Sequence, residues 1–242
     1  MTQIQENLSR VLDSIRAAEK KAGRPEHSVK LLAVSKFHPA ESVVEAVRAG
    51  QCAFGENRVQ EAVSKFPAIY EEFPNVELHI IGTLQTNKVR KAVQVASVIE
   101  SVDSLKLLCE IEKQAAKLDK TVSVFFEYHT GEESKSGFLS FEELREAVQF
   151  CAEGNAPHVV PRGFMTMAPF TDDKALIRAS FATLRDCAER LRAEFPSLPL
   201  TELSMGMSGD FELAIAEGST EVRVGTAIFG ERNYSVEAKH EN

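Results

Sequence analysis

The residue best placed for covalent chemistry is Lys36, which closes the run Lys30-Leu31-Leu32-Ala33-Val34-Ser35-Lys36 and precedes Phe37-His38-Pro39. A lysine where an apolar strand meets the mouth of a fold is partly desolvated. That lowers its pKa from about 10.4 and frees the amine to attack a carbonyl. A strand-end lysine also snorkels to solvent, so position alone leaves both roles open. A second constellation runs from Leu203 to Gly218, where Ser204, Gly206 and Ser208 fall between a strand and an amphipathic helix. Free N–H groups, hydroxyls and the helix dipole favour a phosphate there, and Gly206 permits close backbone approach. Ser208 or Asp210 would equally cap the helix. The third is Val222-Arg223-Val224-Gly225. Arg223 can offer a bidentate guanidinium to phosphate while N–H groups near Gly225 and Thr226 reach the same oxygens, provided that strand alternation turns Arg223 inward.

Other polar residues cluster near strand ends: Glu56-Asn57-Arg58, and His79 with Gly82, Gln85, Asn87 and Lys88. They could orient a ligand or close the mouth of a site, or serve as caps and surface ion pairs. Gly163 to Pro169 is apolar enough to wall a pocket or fill the core. The six histidines lie in separate elements without paired spacing, which disfavours a metal site. No GxSxG, GxGxxG or GxxxxGK[ST] motif occurs.

These residues need a scaffold that gathers strand ends. Apolar, β-branched runs predict eight strands: Lys30 to Ser35, Cys52 to Gly55, Glu77 to Ile81, Ser97 to Val102, Val122 to Glu127, Val159 to Met165, Thr201 to Ser204 and Glu221 to Val224. Helical periods fill the intervals, at Pro39 to Ala49, Arg58 to Phe73, Ser104 to Leu118, Phe141 to Ala152 and Lys174 to Phe195. A leading helix from Ile4 to about Lys21 ends at Gly23-Arg24-Pro25. Strands apolar at successive positions are covered on both faces, so a single closed (β/α)8 barrel over residues 1–242 is expected, with an open doubly wound sheet as the alternative. In such a barrel, phosphate sites recur after strands seven and eight, where two of the constellations fall.

Composition narrows the function. The 242 residues are 43% hydrophobic and 26% charged, with a net charge of −8 and scattered basic residues, so nucleic acid is not an expected partner. No stretch reaches the roughly 20 apolar residues of a membrane span. Four separated cysteines and a polar amino terminus predict reduced, buried or half-buried thiols in a cytoplasmic protein.

Taken together, AVSKFHPAE, FGENRVQE, HIIGTLQTNKVRK, GEESKSGF, GFMTMAP and LSMGMSGDFELAIAEGSTEVRVGTAIFGER resemble the pyridoxal phosphate homeostasis protein family over roughly Leu31 to Arg232. The resemblance implies a fold-type III barrel like the amino-terminal domain of bacterial alanine racemase, with Lys36 forming an imine with pyridoxal 5′-phosphate (PLP). It places the phosphate on Ser204, Gly206, Arg223 and Gly225, with Ser208 nearby, and Asn57 beside the cofactor. It further implies a monomeric carrier or regulator in vitamin B6 balance that passes PLP to apo-enzymes, without an established reaction. The alternative is a PLP-dependent enzyme acting on amino acids, with His79, His129 or Tyr128 as candidate bases. With the sequence ending near Asn242, the second domain that supplies alanine racemase's tyrosine, and two-base racemisation with it, are not expected. Two departures stand out: Glu127-Tyr128-His129-Thr130 replaces an aliphatic residue and asparagine ahead of the ExxKxG segment, and Leu78 replaces an aromatic residue before His79. If Tyr128 pointed into the mouth, it would reshape the wall beside the ring.

Overall fold

The computed structural model describes residues 2–131 and 137–231. Residues 132–136 of the GEESKSGF segment, Arg232 and His240 lie outside the described residues. Eight parallel strands close into one barrel in sequence order: β1 (Lys30–Val34), β2 (Ala53–Glu56), β3 (Glu77–Ile80), β4 (Val98–Val102), β5 (Val122–Glu127), β6 (Val159–Met165), β7 (Glu202–Met207) and β8 (Glu221–Val224). The ring closes through β1 on β8, with Leu31 opposite Val222 and Ala33 opposite Val224. The open-sheet alternative is therefore excluded.

Outside the strands lie α1 (Gln3–Lys21), α2 (Ala40–Arg48), α3 (Val59–Glu72), α4 (Val89–Val95), α5 (Leu105–Lys117), α6 (Phe141–Ala152), α7 (Lys174–Glu194), α8 (Phe211–Ala216) and α9 (Thr226–Phe229). The leading helix α1 starts with a capping box between Thr2 and Gln5, which satisfies two N–H groups that have no intrahelical acceptor. Its stripe of Leu8, Val11, Ile15 and Ala18 is buried, and it packs against α2, α8 and α9. It thereby covers the seam where β8 meets β1, which the short α8 and α9 leave thinly clad. None of the helices formed by the described residues is long and apolar enough to cross a membrane.

Alternate strand positions serve different layers. Leu31, Ala33, Phe54, Leu78, Ile80, Val124, Phe126 and Phe164 join the large apolar layer between sheet and helices. Val98, Phe125 and Met165 form a second, smaller cluster, with Met167 packed against it.

Most predicted boundaries agree within one or two residues. The main differences are α4, for which no expectation existed, and β7, which runs on to Met207 beyond the predicted end at Ser204. The glycine and serines of Ser204-Met205-Gly206-Met207-Ser208 suggest a loop, yet the strand continues with a register shift against β8 between Ser204 and Met207. Gly206 sits at φ +98°, a conformation open to glycine, and a Cβ there would lie 2.6 Å from Ala214 Cβ. The close approach that Gly206 permits is thus to α8. Of the cysteines, Cys151 and Cys187 are buried, but Cys52 and Cys109 are exposed, against the expectation of burial; all four are free thiols.

Gly163 lies opposite Glu202 in the β6–β7 pairing. A Cβ at Gly163 would lie 1.8 Å from the Glu202 carbonyl oxygen, so the strands can meet only around a glycine. Gly163→Ala should lower unfolding free energy by at least about 3 kcal/mol, read as a lower urea midpoint; an unchanged midpoint would mean that the pairing can widen.

Candidate functional site

A cavity of about 510 Å³ opens at the carboxyl ends of the strands. Its wall includes Lys36 and His38 after β1, Asn57 after β2, Glu127 from β5, Met167 after β6, Ser208 after β7, and Arg223, Gly225 and Thr226 from β8 and α9. Five predicted residues, Lys36, Asn57, Ser208, Arg223 and Gly225, therefore meet in one space. They come from four different strand ends, as the barrel topology requires of a site.

Lys36 is half-buried and sits two residues beyond β1. The next residue, Phe37, takes φ +66°, and its N–H donates to Glu61 Oε1 at 2.7 Å. Arg223 turns inward and is buried. Its Nη1 donates to the Ser204 carbonyl at 2.7 Å and to Ser204 Oγ at 2.8 Å, and its Nη2 donates to the Thr166 carbonyl at 2.8 Å. Much of the guanidinium's hydrogen-bonding capacity is thus used to hold β6, β7 and β8 together beneath the cavity. Ser204 is fully buried and donates to Glu100 Oε2 at 2.6 Å, so its hydroxyl faces the barrel core. Ser204 and Gly206 stand behind the wall and shape the loop that presents Ser208.

The helices near the expected anion site are short: α8 has six residues and α9 has four. Their macrodipoles are correspondingly small, so individual N–H groups carry the attraction. The first N–H groups of α9, at Thr226 and Ala227, precede any intrahelical acceptor and begin at the cavity wall. His38, also in the wall, has its pKa lowered by burial and by the nearby Lys65 ammonium, against an opposing pull from Glu61. A neutral imidazole is favoured there.

The family model for the alanine racemase N-terminal domain matches residues 7–233. The pyridoxal phosphate homeostasis protein of Aquifex aeolicus (strain VF5) is 41% identical over 229 residues, covering 95% of this chain and 98% of the relative. That of Vibrio alginolyticus is 40% identical over 240 residues, covering 97% and 100%. PipY of Synechococcus elongatus PCC7942, solved with PLP bound, superposes with a TM-score of 0.82 at 40% identity, covering 94% of this chain and all of PipY. The chain belongs to the pyridoxal phosphate homeostasis protein family.

The residues expected from the sequence to depart from the family's pattern fall on both sides of the sheet. Tyr128 packs against the outer apolar layer and hydrogen-bonds Cys187, and Leu78 lies in the same layer, so neither reshapes the cavity. Glu127 does enter it: its side chain is nearly fully buried in the cavity wall. Composition and motif reading passed over Glu127 and His38 as wall residues, whereas Met167 lies in the Gly163 to Pro169 segment expected to wall a pocket or fill the core, and Thr226 among the expected anion donors. Strand alternation counted along β5 from Phe125, which faces the same side as Glu127, was the signal that could have found it.

Other predicted residues lie elsewhere. Glu56 faces α3, where Lys65 binds it, and Arg58 stacks over the Phe37 ring at 5.5 Å. Gln85 and Asn87 are exposed, whereas Gly82 lines the cavity. His79, expected near the mouth, is in the barrel core, where its Nδ1 meets Glu100 Oε1 at 2.6 Å and lies 3.8 Å from Glu221 Oε1. Its Nε2 is 3.5 Å from Glu77 Oε1. The ligand atoms of His79, Glu100 and Glu221 lie within 4.8 Å of one another, bringing together histidine and carboxylates that are distant in sequence.

Burial alone would push the His79 pKa down, but Glu221, Glu100 and Glu77 outweigh it and bring it up to about 10. Burial and the neighbouring Glu100 charge push Glu221 up to about 8. A protonated imidazole thus supplies positive charge among the carboxylates. Because the folded-state value of His79 lies above its ordinary 6.5, its stabilising contribution is complete below 6.5 and is lost as pH rises to about 10. The urea midpoint should fall across that window, and His79→Gln, though less stable at neutral pH, should show a flatter decline; parallel curves would remove His79 as the cause.

Proposed function

We propose that this chain is a PLP-binding protein of intracellular vitamin B6 homeostasis, which holds the cofactor as an imine on Lys36 and yields it to apo-enzymes. The observation that carries this reading is the convergence of Lys36, Asn57, Ser208, Arg223 and Gly225 on one cavity at the barrel mouth. The size and donor set of the cavity fit a phosphorylated pyridine aldehyde. An amine stands on one side, and a hydroxyl and N–H groups stand at Ser208, Gly225 and Thr226. PLP supplies an aldehyde for reversible covalent attachment and an electron-withdrawing ring.

Each residue then has a task. The Lys36 amine attacks the aldehyde carbon and water leaves, giving a link that another amine can displace. Ser208 and the N–H groups of Gly225 and Thr226 grip the phosphate, at roughly 1.5–3 kcal/mol for each hydrogen bond to a charged group. Arg223 supports that loop from below and presents positive charge to the cavity floor, while Asn57 borders the ring. Ser204 and Gly206 contribute through the shape of the β7–α8 connection. The protein acts as a monomer in the cytoplasm, and PLP-dependent apo-enzymes are the proposed recipients.

PLP-loaded protein, freed of excess cofactor, should show an imine absorption band. Borohydride should fix the adduct on the peptide containing Lys36, and Lys36→Ala should lose the band. An adduct confined to another peptide would remove Lys36 from the role.

A second reading, an enzyme acting on amino acids, draws support from Glu127, a carboxylate in the same wall as Lys36 and a candidate base. His79 is in the core and Tyr128 faces the helices, so neither supports it. Under the homeostasis reading, solvent-deuterium exchange into amino-acid α-positions should not exceed that with free PLP. Exchange above that level that disappears in Glu127→Gln would replace it with the enzymatic one.

A further inference from the structure

The two peptide groups flanking Lys36 are held by one ion pair. The Ser35 carbonyl accepts from Lys65 Nζ at 3.0 Å, and the Phe37 N–H donates to Glu61 Oε1 at 2.7 Å. Lys65 Nζ donates to that same Glu61 oxygen at 2.8 Å and to Glu56 Oε1 at 2.7 Å. Ser35 Oγ also donates to Glu56 Oε1, at 2.7 Å. The Lys65 side chain is only 6% exposed and that of Glu56 is fully buried. Lys65, Glu56 and Glu61 come from α3 and the end of β2 and stand outside the cavity wall, behind the turn that carries Lys36.

Burying an ammonium and a carboxylate is costly, and aliphatic side chains can often fill such a space with equal or greater stability. Phe37 is moreover held at φ +66°, a conformation that a bulky residue adopts only when its surroundings impose it. Both features converge on a single peptide segment, the one whose direction sets where the Lys36 side chain starts.

We propose that Lys65 and Glu61 are positioning residues for Lys36, anchoring the peptide groups on either side of it so that its amine enters the cavity in one direction. The inference rests on Lys36 being the imine-forming residue. A long side chain amplifies any rotation of its backbone, and displacement of a nucleophile by about 1 Å can cost on the order of a hundredfold in rate. Holding the carbonyl before Lys36 and the N–H after it restricts that rotation from both ends.

The test uses the full chain with Glu61→Ala, Glu61→Gln and Lys65→Met. The rate of imine formation with PLP is followed by borohydride trapping and peptide mapping, and exchange of the Phe37 amide is measured by NMR on protein without cofactor. Glu61→Ala should label Lys36 about tenfold more slowly and should expose the Phe37 amide to faster exchange. Glu61→Gln, which keeps an acceptor oxygen, should restore most of both, a rescue that a general packing defect would not show. Lys65→Met should slow labelling as well. If that variant does not fold, the Glu61 pair alone decides, since the Glu61 side chain is more exposed, at 21%. Wild-type labelling in Glu61→Ala despite rapid Phe37 exchange would overturn the proposal, as would equal losses in Glu61→Ala and Glu61→Gln. Absence of a Lys36 adduct in the unmodified protein would instead overturn the function proposed above, while Phe37 exchange would still report whether Glu61 holds the turn.

Discussion

Closing eight parallel strands into a ring leaves a narrow interior that inward side chains must fill, and the filling decides what the mouth can do. Part of that filling is hydrocarbon, at Leu32, Val98, Phe125 and Met165. The rest of the axis is a ladder of charge. Arg223 and Ser204 bind beneath the cavity, and Glu100 receives Ser204 and meets His79. Glu77 lies beside His79 and binds Arg162, which also pairs with Glu202. Each buried carboxylate in this ladder has a cation or a donor beside it, the condition under which buried charge is tolerated. Removing one rung would leave its neighbours unpaired, so these side chains support one another as a unit.

That ladder explains why Arg223 is both wall and scaffold. Its bonds to the Ser204 and Thr166 carbonyls tie three adjacent strands at the height where their loops diverge. Loops after β7 and β8 are only as well placed as the strand ends beneath them, and here those ends are pinned by a charge that also faces the cavity. Cavity electrostatics and barrel closure therefore share a residue. A change at Arg223 would alter both together, whereas Ser208 and Thr226 sit farther out and act on the cavity alone.

The fold was legible because parallel strands covered on both faces read as continuous apolar runs, and Val122 to Glu127, Val159 to Met165 and Glu221 to Val224 agree with the structure to the residue. The strand ends were legible too, which is why Lys36, Asn57 and Gly225 were expected at the barrel mouth, where they line the cavity. Side-chain direction was harder to read. His79 and Glu56 are polar residues in or beside strand ends, as Asn57 is, but alternation turns His79 to the core and Glu56 to α3. Ser204 and Gly206 misled for another reason: serine and glycine mark loops, and nothing local reveals that a bulge carries the strand through them. The His79, Glu100 and Glu221 cluster joins three strands far apart in sequence, so no spacing rule could have assembled it.

Glu127 puts a carboxylate into the cavity wall on the side supplied by β5. A carboxylate in a cavity shared with Lys36 and Arg223 is drawn to cations, and it repels anions such as a phosphate. β5 is four strands from β1 in either direction around the ring, while Ser208, Arg223 and Gly225 sit on β8 and the loops that follow β7 and β8. Glu127 therefore stands across the mouth from the strand that leads to Lys36 and two strands from β7, so its carboxylate belongs to the opposite wall of the cavity and not to the turn that carries Lys36.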